Sequence, residues 1–117
     1  MEAEGRMTTV SESNIHDALA YLAGDPHPLA VARFKLTTAE NNAKQIYAEC
    51  FLDSNQSTVD GRKASVEIDK RYIESKTAEA LCVLEYERHR ARVKAAEMLI
   101  EVWRSENANA RVAEKIR

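Results

Sequence analysis

The chain has 117 residues, of which 44% are hydrophobic, 6% aromatic and 31% charged. It carries 17 basic and 19 acidic residues, and a net charge of −2 excludes a protein that binds polyanions over its whole surface. No apolar run of 18 residues predicts a membrane helix, and the acidic N-terminus is unlike a secretion signal, with either Met1 or Met7 as the natural start. We therefore expect a soluble, cytoplasmic protein with no membrane partner.

The N-terminal region is predicted to be a flexible segment followed by a short helix. Residues 1–10 show no helical pattern and are expected to be flexible. Ser11 or Ser13 can cap a helix over residues 13–23, because serine side chains accept hydrogen bonds from the free N–H groups of a first turn. The apolar face of this helix contains Ile15, Ala18, Leu19 and Leu22.

A second, longer helix is predicted over residues 28–53. Pro28 suits its first turn, since proline lacks the N–H that would go unbonded there. Small and apolar residues then recur at alternating steps of three and four: Leu29, Ala32, Leu36, Ala39, Ala43, Ile46 and Cys50. This spacing is typical of a helix face that packs along another helix.

The polar stretch 53–61 is predicted to reverse the chain, and a third helix is expected over 62–104 because no proline or glycine follows Gly61. A fourth is expected over 108–116, since the Ser- and Asn-rich run between them favours a bend or an end. A second seam follows Ile73, Ala80, Leu84, Ala91, Ala95, Met98, Val102, Val112 and Ile116. The fold class is therefore all-α: two long antiparallel helices forming a coiled-coil-like hairpin, with short flanking helices, in one domain over 11–117.

The two long helices are expected to differ in length, and this favours self-association. Forty residues make roughly 60 Å of helix, whereas the 26 residues of the second helix make about 39 Å. The part of the third helix that extends beyond the second carries Leu99, Ile100 and Trp103, which would be exposed to solvent in a monomer. These three residues are the predicted interface of a homo-oligomeric helical bundle.

Basic residues concentrate in the C-terminal third, where residues 86–117 hold eight basic and five acidic groups. On a helix, Arg88 with Arg92 and Arg90 with Lys94 form two ridges on either side of Ala91. Such ridges can follow a phosphate backbone, or they can be a solvated face balanced by nearby glutamates. Beyond them, Trp103 beside Arg104 and Arg111 can stack a base and bind its phosphate, or Trp103 can be a core anchor.

Few residues suggest catalysis or a bound cofactor. Three glycines form no phosphate loop, and no acidic pair has the Glu-x-x-His spacing of carboxylate-bridged metal helices. Cys50 and Cys82 have no metal-type spacing and are expected to be buried thiols. The sequence predicts no enzyme, no metal and no cofactor.

The layout of the chain resembles small helical proteins of tailed bacteriophages. The resemblance rests on the polar reversal Asp60-Gly61-Arg62-Lys63, on Tyr72, Glu79 and Tyr86 in the following helix, and on the closing tryptophan and arginines. Among those proteins it is similar to the phage recombination mediators, which load a recombinase on single-stranded DNA and act as ring-like oligomers. In that family a Lys-x-Arg pair late in the first long helix contacts DNA, and here Lys44 and Ile46 occupy its positions.

The resemblance implies a phage accessory protein of recombination or replication, in the cytoplasm of the host cell. Its implied partners are itself, single-stranded DNA, and a recombinase or a host protein. The nucleic-acid contacts predicted from the residues and the resemblance are Arg88, Arg90, Arg92, Lys94, Arg104, Arg111 and Lys44. The alternative is a protein-binding function, as an inhibitor of a host defence or other host system or as an assembly or scaffold factor.

Overall fold

The structure, a computed structural model, describes residues 10–116 and contains four helices over that range, with no strand. In chain order they are α1 (Glu12–Leu22), α2 (Pro28–Asp53), α3 (Val59–Glu67) and α4 (Lys70–Ile116). The all-α class and the pair of long antiparallel helices with short flanking ones are confirmed. The predicted flexible segment 1–10 lies outside the described residues except for Val10, which is buried.

The chain divides into two compact units, and α4 contributes to both. The central unit runs from Leu29 to His89 and contains nearly all of α2, all of α3 and the beginning of α4. The terminal unit contains α1 and the part of α4 from Arg90 onward.

The central unit is a helical hairpin whose contact face on α2 follows the predicted seam. Ala32, Leu36, Ala43 and Cys50 are buried, and the other three seam residues are half-buried. The pairing is antiparallel: Tyr47 lies near the start of α4, with its ring centroid 5.4 Å from that of Tyr72. The α2 seam was therefore predicted correctly.

The reversal between α2 and α3 is stabilised by hydrogen bonds at the end of α2 and at the start of α3. Thr58 caps α3 by accepting a hydrogen bond from the N–H of Gly61 at 3.0 Å, and a Cβ added at Gly61 would lie 2.9 Å from that hydroxyl. Arg62 donates to the carbonyl oxygens of Phe51 at 2.9 Å and Gln56 at 3.0 Å. The Phe51 carbonyl, in the last turn of α2, also accepts from the backbone N–H of Ser54 at 3.4 Å, so Arg62 adds a second and shorter hydrogen bond at this helix end.

The predicted third helix is interrupted at Ile68 and Asp69, which separate α3 from α4. The Asp69 carboxylate accepts a hydrogen bond from the backbone N–H of Arg71 at 2.9 Å, as capping residues do at helix N-termini. The Arg71 guanidinium binds both Asp69 and Asp53, each at 3.0 Å. The break could not be predicted from glycine or proline, because neither residue occurs there and an aspartate caps the new helix two residues after α3 ends.

The predicted end of the helix near residue 104 was also wrong, because α4 continues through residues 105–109 to Ile116. Serine and asparagine cost only a few tenths of a kcal/mol each within a helix, and this is too little to end one that has tertiary contacts.

The pKa of Asp69 is lowered from 3.8 to about 2, chiefly by the side-chain hydrogen bond from Arg71. The carboxylate therefore stabilises the fold above pH 3.8, and that contribution is lost as the pH falls toward 2. We expect the melting temperature, followed by circular dichroism between pH 6 and pH 2.5, to fall less in Asp69→Asn than in the wild type. Glu49→Gln, at an exposed position on α2, should show the wild-type fall; an equal fall in Asp69→Asn would contradict this linkage.

Candidate nucleic-acid interface

The contact face of α4 is different from the one its apolar spacing predicts. All nine residues of the predicted second seam, from Ile73 to Ile116, are exposed. In the central unit the buried and half-buried positions of α4 are instead Tyr72, Ser75, Glu79, Cys82, Glu85, Tyr86 and His89. In the terminal unit they include Val93, Ala96, Ile100, Trp103 and Asn107.

Hydrogen bonds make a polar contact face possible in the central unit. The buried Ser75 hydroxyl donates to the carbonyl oxygen of Tyr72 at 2.7 Å, and Glu79 accepts from Lys76 at 3.1 Å. The Arg33 guanidinium lies 5.6 Å from the centre of the Tyr86 ring and donates to its hydroxyl at 3.4 Å. Because these polar groups have hydrogen-bonding partners, they can lie in the helix interface. The apolar residues of α4 lie on its outer side.

Two of the predicted basic contacts make intramolecular interactions. Arg88 donates to Glu85 at 2.9 Å, and the same carboxylate lies 3.1 Å from Nε2 of His89. Arg92 stacks its guanidinium 4.1 Å above the centre of the Tyr21 ring, a cation–π contact between α4 and α1. Arg92 therefore links α4 to α1, whereas Arg88 makes an ion pair at the surface, where its side chain is 69% exposed.

The other ridge continues along the exposed surface of α4 in the terminal unit. From Arg90, positions at alternating steps of four and three are all exposed: Arg90, Lys94, Glu97, Glu101, Arg104, Ala108, Arg111 and Lys115. We call this set the cationic row. Five basic and two acidic side chains give it a charge of +3. It joins four of the predicted contact residues on one helix face, spread over roughly 38 Å.

One basic residue of the cationic row was missed from the sequence. Lys115 continues the spacing of Arg104 and Arg111, so extending the alternating steps past the expected helix end would have found it. The predicted break before residue 108 hid this continuity. Within the row, Lys94 and Arg104 line a surface groove of about 490 Å³ together with Glu97 and Glu101.

The remaining predicted site residues lie elsewhere. Lys44 belongs to the central unit, where it lines a groove of about 520 Å³ with Glu40, Tyr47, Tyr72, Lys76 and Glu79. The lysines and glutamates there balance, and Glu79 binds Lys76 and thereby raises its pKa. Of the predicted interface, Leu99, Ile100 and Trp103 are all half-buried, and Leu99 lines a groove beside α1 residues.

The cysteines are free thiols with different environments. Cys50 is 2% exposed, and burial raises the pKa of its thiol, followed by its hydrogen bond with Asp69. Cys82 is half-buried on the contact face of α4. Within residues 10–116, no group of three histidine, cysteine or acidic side chains is placed to hold a metal ion. No helix in that range is long and apolar enough to cross a membrane.

No protein-family model matches the chain, and neither the curated proteins nor the solved structures include a significant match. The function therefore has to be argued from the side chains that the fold leaves exposed.

Proposed function

We propose that this protein is a non-enzymatic accessory protein that binds single-stranded nucleic acid through the cationic row of α4. The observation that supports the proposal is the continuous exposed face on which five basic side chains outnumber two acidic ones. Lysine and arginine side chains along a groove or ridge bind the phosphate backbone, and binding releases condensed counterions. A phage protein that prepares single-stranded DNA for a recombinase would use such a surface.

The row supports binding without strong sequence preference. A single exposed helix face offers contacts to phosphates, and the groove between Lys94 and Arg104 is open to solvent and would not enclose base edges. Trp103 is half-buried, so its ring is only partly available for stacking on a base. Electrostatics therefore supplies most of the affinity, and the net charge of −2 keeps that affinity modest for one chain.

The test is a charge reversal on the row with a matched control. Arg104→Glu/Arg111→Glu changes two exposed positions of the cationic row. We expect binding to a fluorescent single-stranded oligonucleotide at about 50 mM salt to weaken at least ~10-fold, and the salt slope to fall by about 1.4 for two lost phosphate contacts.

The control, Lys35→Glu/Lys63→Glu, makes the same change in net charge at exposed positions of α2 and α3. It should retain most of the wild-type affinity. Equal losses in both double variants would show that net charge alone governs binding. No binding by the wild type at this salt concentration, with helicity intact, would refute the nucleic-acid function.

A second candidate is binding to another protein, and exposed apolar side chains in the central unit favour it. Phe34 is 71% exposed and Leu81 61% exposed, and Leu52 and Ile68 are also open to solvent. An apolar partner surface would cover them, as expected of an inhibitor of a host system or an assembly factor. Binding of this kind resists salt, so a partner complex that survives 0.5 M salt would favour it over the nucleic-acid function.

A further inference from the structure

The outer side of α4 in the terminal unit carries an apolar heptad seam that no part of residues 10–116 covers. The seam consists of eight exposed residues at alternating steps of four and three: Ala91, Ala95, Met98, Val102, Ser105, Asn109, Val112 and Ile116. Met98 is 63% exposed, Val112 56% and Ile116 79%. A helix that was only solvated on this side would carry polar residues there.

The spacing matches the two core positions of a coiled coil over more than three heptads. Positions equivalent to a are Ala95, Val102, Asn109 and Ile116, and those equivalent to d are Ala91, Met98, Ser105 and Val112. In parallel dimers β-branched residues at a combine with leucine at d, and a single asparagine at a fixes the register. Val102, Ile116 and Asn109 match this pattern at a, and Met98 supplies a large unbranched side chain at d.

We propose that this seam is the interface of a parallel, in-register coiled coil with a second copy of the chain. The choice of occupant follows from self-complementarity. When two copies align in parallel, Ser105 faces Ser105 and Asn109 faces Asn109, so that each polar layer meets a polar layer and each apolar layer an apolar one. In the parallel alignment all eight seam positions face their equivalents, whereas the antiparallel alignment that pairs Ser105 with Asn109 matches six of the eight and leaves Ala91 and Ala95 without a facing seam position.

The opposing electrostatic term is small. In the parallel alignment Glu101 lies beside Glu106 of the second copy at the edge of the seam. Glu101 is exposed and Glu106 half-buried, and one like-charge pair at the edge of a helix interface is a weak repulsion that salt screens. Burial of Met98, Val102, Val112 and Ile116 from two chains outweighs that repulsion, because the hydrophobic gain grows with the apolar area removed from water.

This interface does not depend on nucleic-acid binding, and it is distinct from the one predicted at Leu99, Ile100 and Trp103. Those residues are half-buried within the terminal unit, whereas the seam is exposed. The cationic row lies one residue before the seam at every step, so the second copy would leave the row at the border of the interface. Two rows per dimer would raise the affinity for a long single strand through avidity.

The test uses a cysteine at a core position. Ser105→Cys places thiols opposite each other in the parallel dimer, so mild oxidation should give a reducible dimer within minutes on a denaturing gel. Arg111→Cys lies on the cationic row, away from the core, and should cross-link at least ~10-fold more slowly. The wild type, whose thiols at Cys50 and Cys82 are buried or half-buried, is the background control.

Light scattering on the reduced wild-type protein supplies the second measurement. We expect twice the chain mass at micromolar concentration, and the mass of one chain for Val102→Glu with unchanged helicity. Equal cross-linking of the two cysteine variants would refute the parallel register. A wild-type monomer, or a dimer that Val102→Glu leaves intact, would refute the seam as the interface.

Discussion

Val66→Asp should unfold the central unit. Val66 is fully buried, with 0% of its surface exposed, and it fixes the nine-residue helix α3 against the α2–α4 hairpin. An aspartate there would bury a carboxylate without a partner, at a cost of at least about 4 kcal/mol, which approaches the whole stability of a small domain. We expect circular dichroism at 25 °C to show a large loss of helicity, with no cooperative melting transition.

Ile68→Asp is the matched control, since it makes the same kind of change two residues later at a side chain that is 79% exposed. That variant should keep the wild-type helicity and a melting temperature within a few degrees of it. A folded Val66→Asp protein with a wild-type transition would show that α3 is dispensable for the hairpin.

Leu36→Ala should produce the second-largest loss of stability. Leu36 lies at the middle of the α2 seam with only 8% of its surface exposed. Its truncation removes the transfer free energy of the lost methyl groups and leaves a cavity, and together these lower the free energy of unfolding by about 2–3 kcal/mol. Urea denaturation should show a lower midpoint with an unchanged slope.

Phe34→Ala provides the comparison on the same helix. Phe34 is 71% exposed and two residues away, so its truncation should change the free energy of unfolding by less than about 0.5 kcal/mol. If Phe34→Ala cost as much as Leu36→Ala, a second copy or another partner would have to cover Phe34 under the conditions of the measurement.

The contact face of α2 could be predicted from the sequence, whereas that of α4 could not. On α2 the small and apolar residues lie on the packed side, so spacing and burial agree. On α4 the packed side contains Ser75, Glu79 and His89, which are stable there because of hydrogen bonds that no spacing rule detects. The apolar residues of α4 face outward, so their periodicity marks the exposed side of the helix and not its contact face.

The candidate site could be predicted only in part, because contacts between residues distant in sequence leave no local pattern. Helical spacing alone separated Arg88 and Arg92 from Arg90 and Lys94, but it could not show that Arg92 stacks on an aromatic ring of α1. The Tyr21 ring under Arg92 comes from a helix about 70 residues earlier, and such a long-range contact is invisible to local patterns. The extension of the row to Lys115 required knowing that residues 105–109 stay helical.

The weak attachment of α1 has a consequence for the motions of the terminal unit. This helix has 11 residues, too few for stability in isolation; Ile15 and Ala18 are its buried residues, and Tyr21 stacks on Arg92. Its release therefore costs much less than global unfolding, so its amide hydrogens should exchange with solvent through frequent local opening. Each such opening briefly uncovers Ala96 and Leu99, and a partner that captured this transient state would bind in proportion to its population.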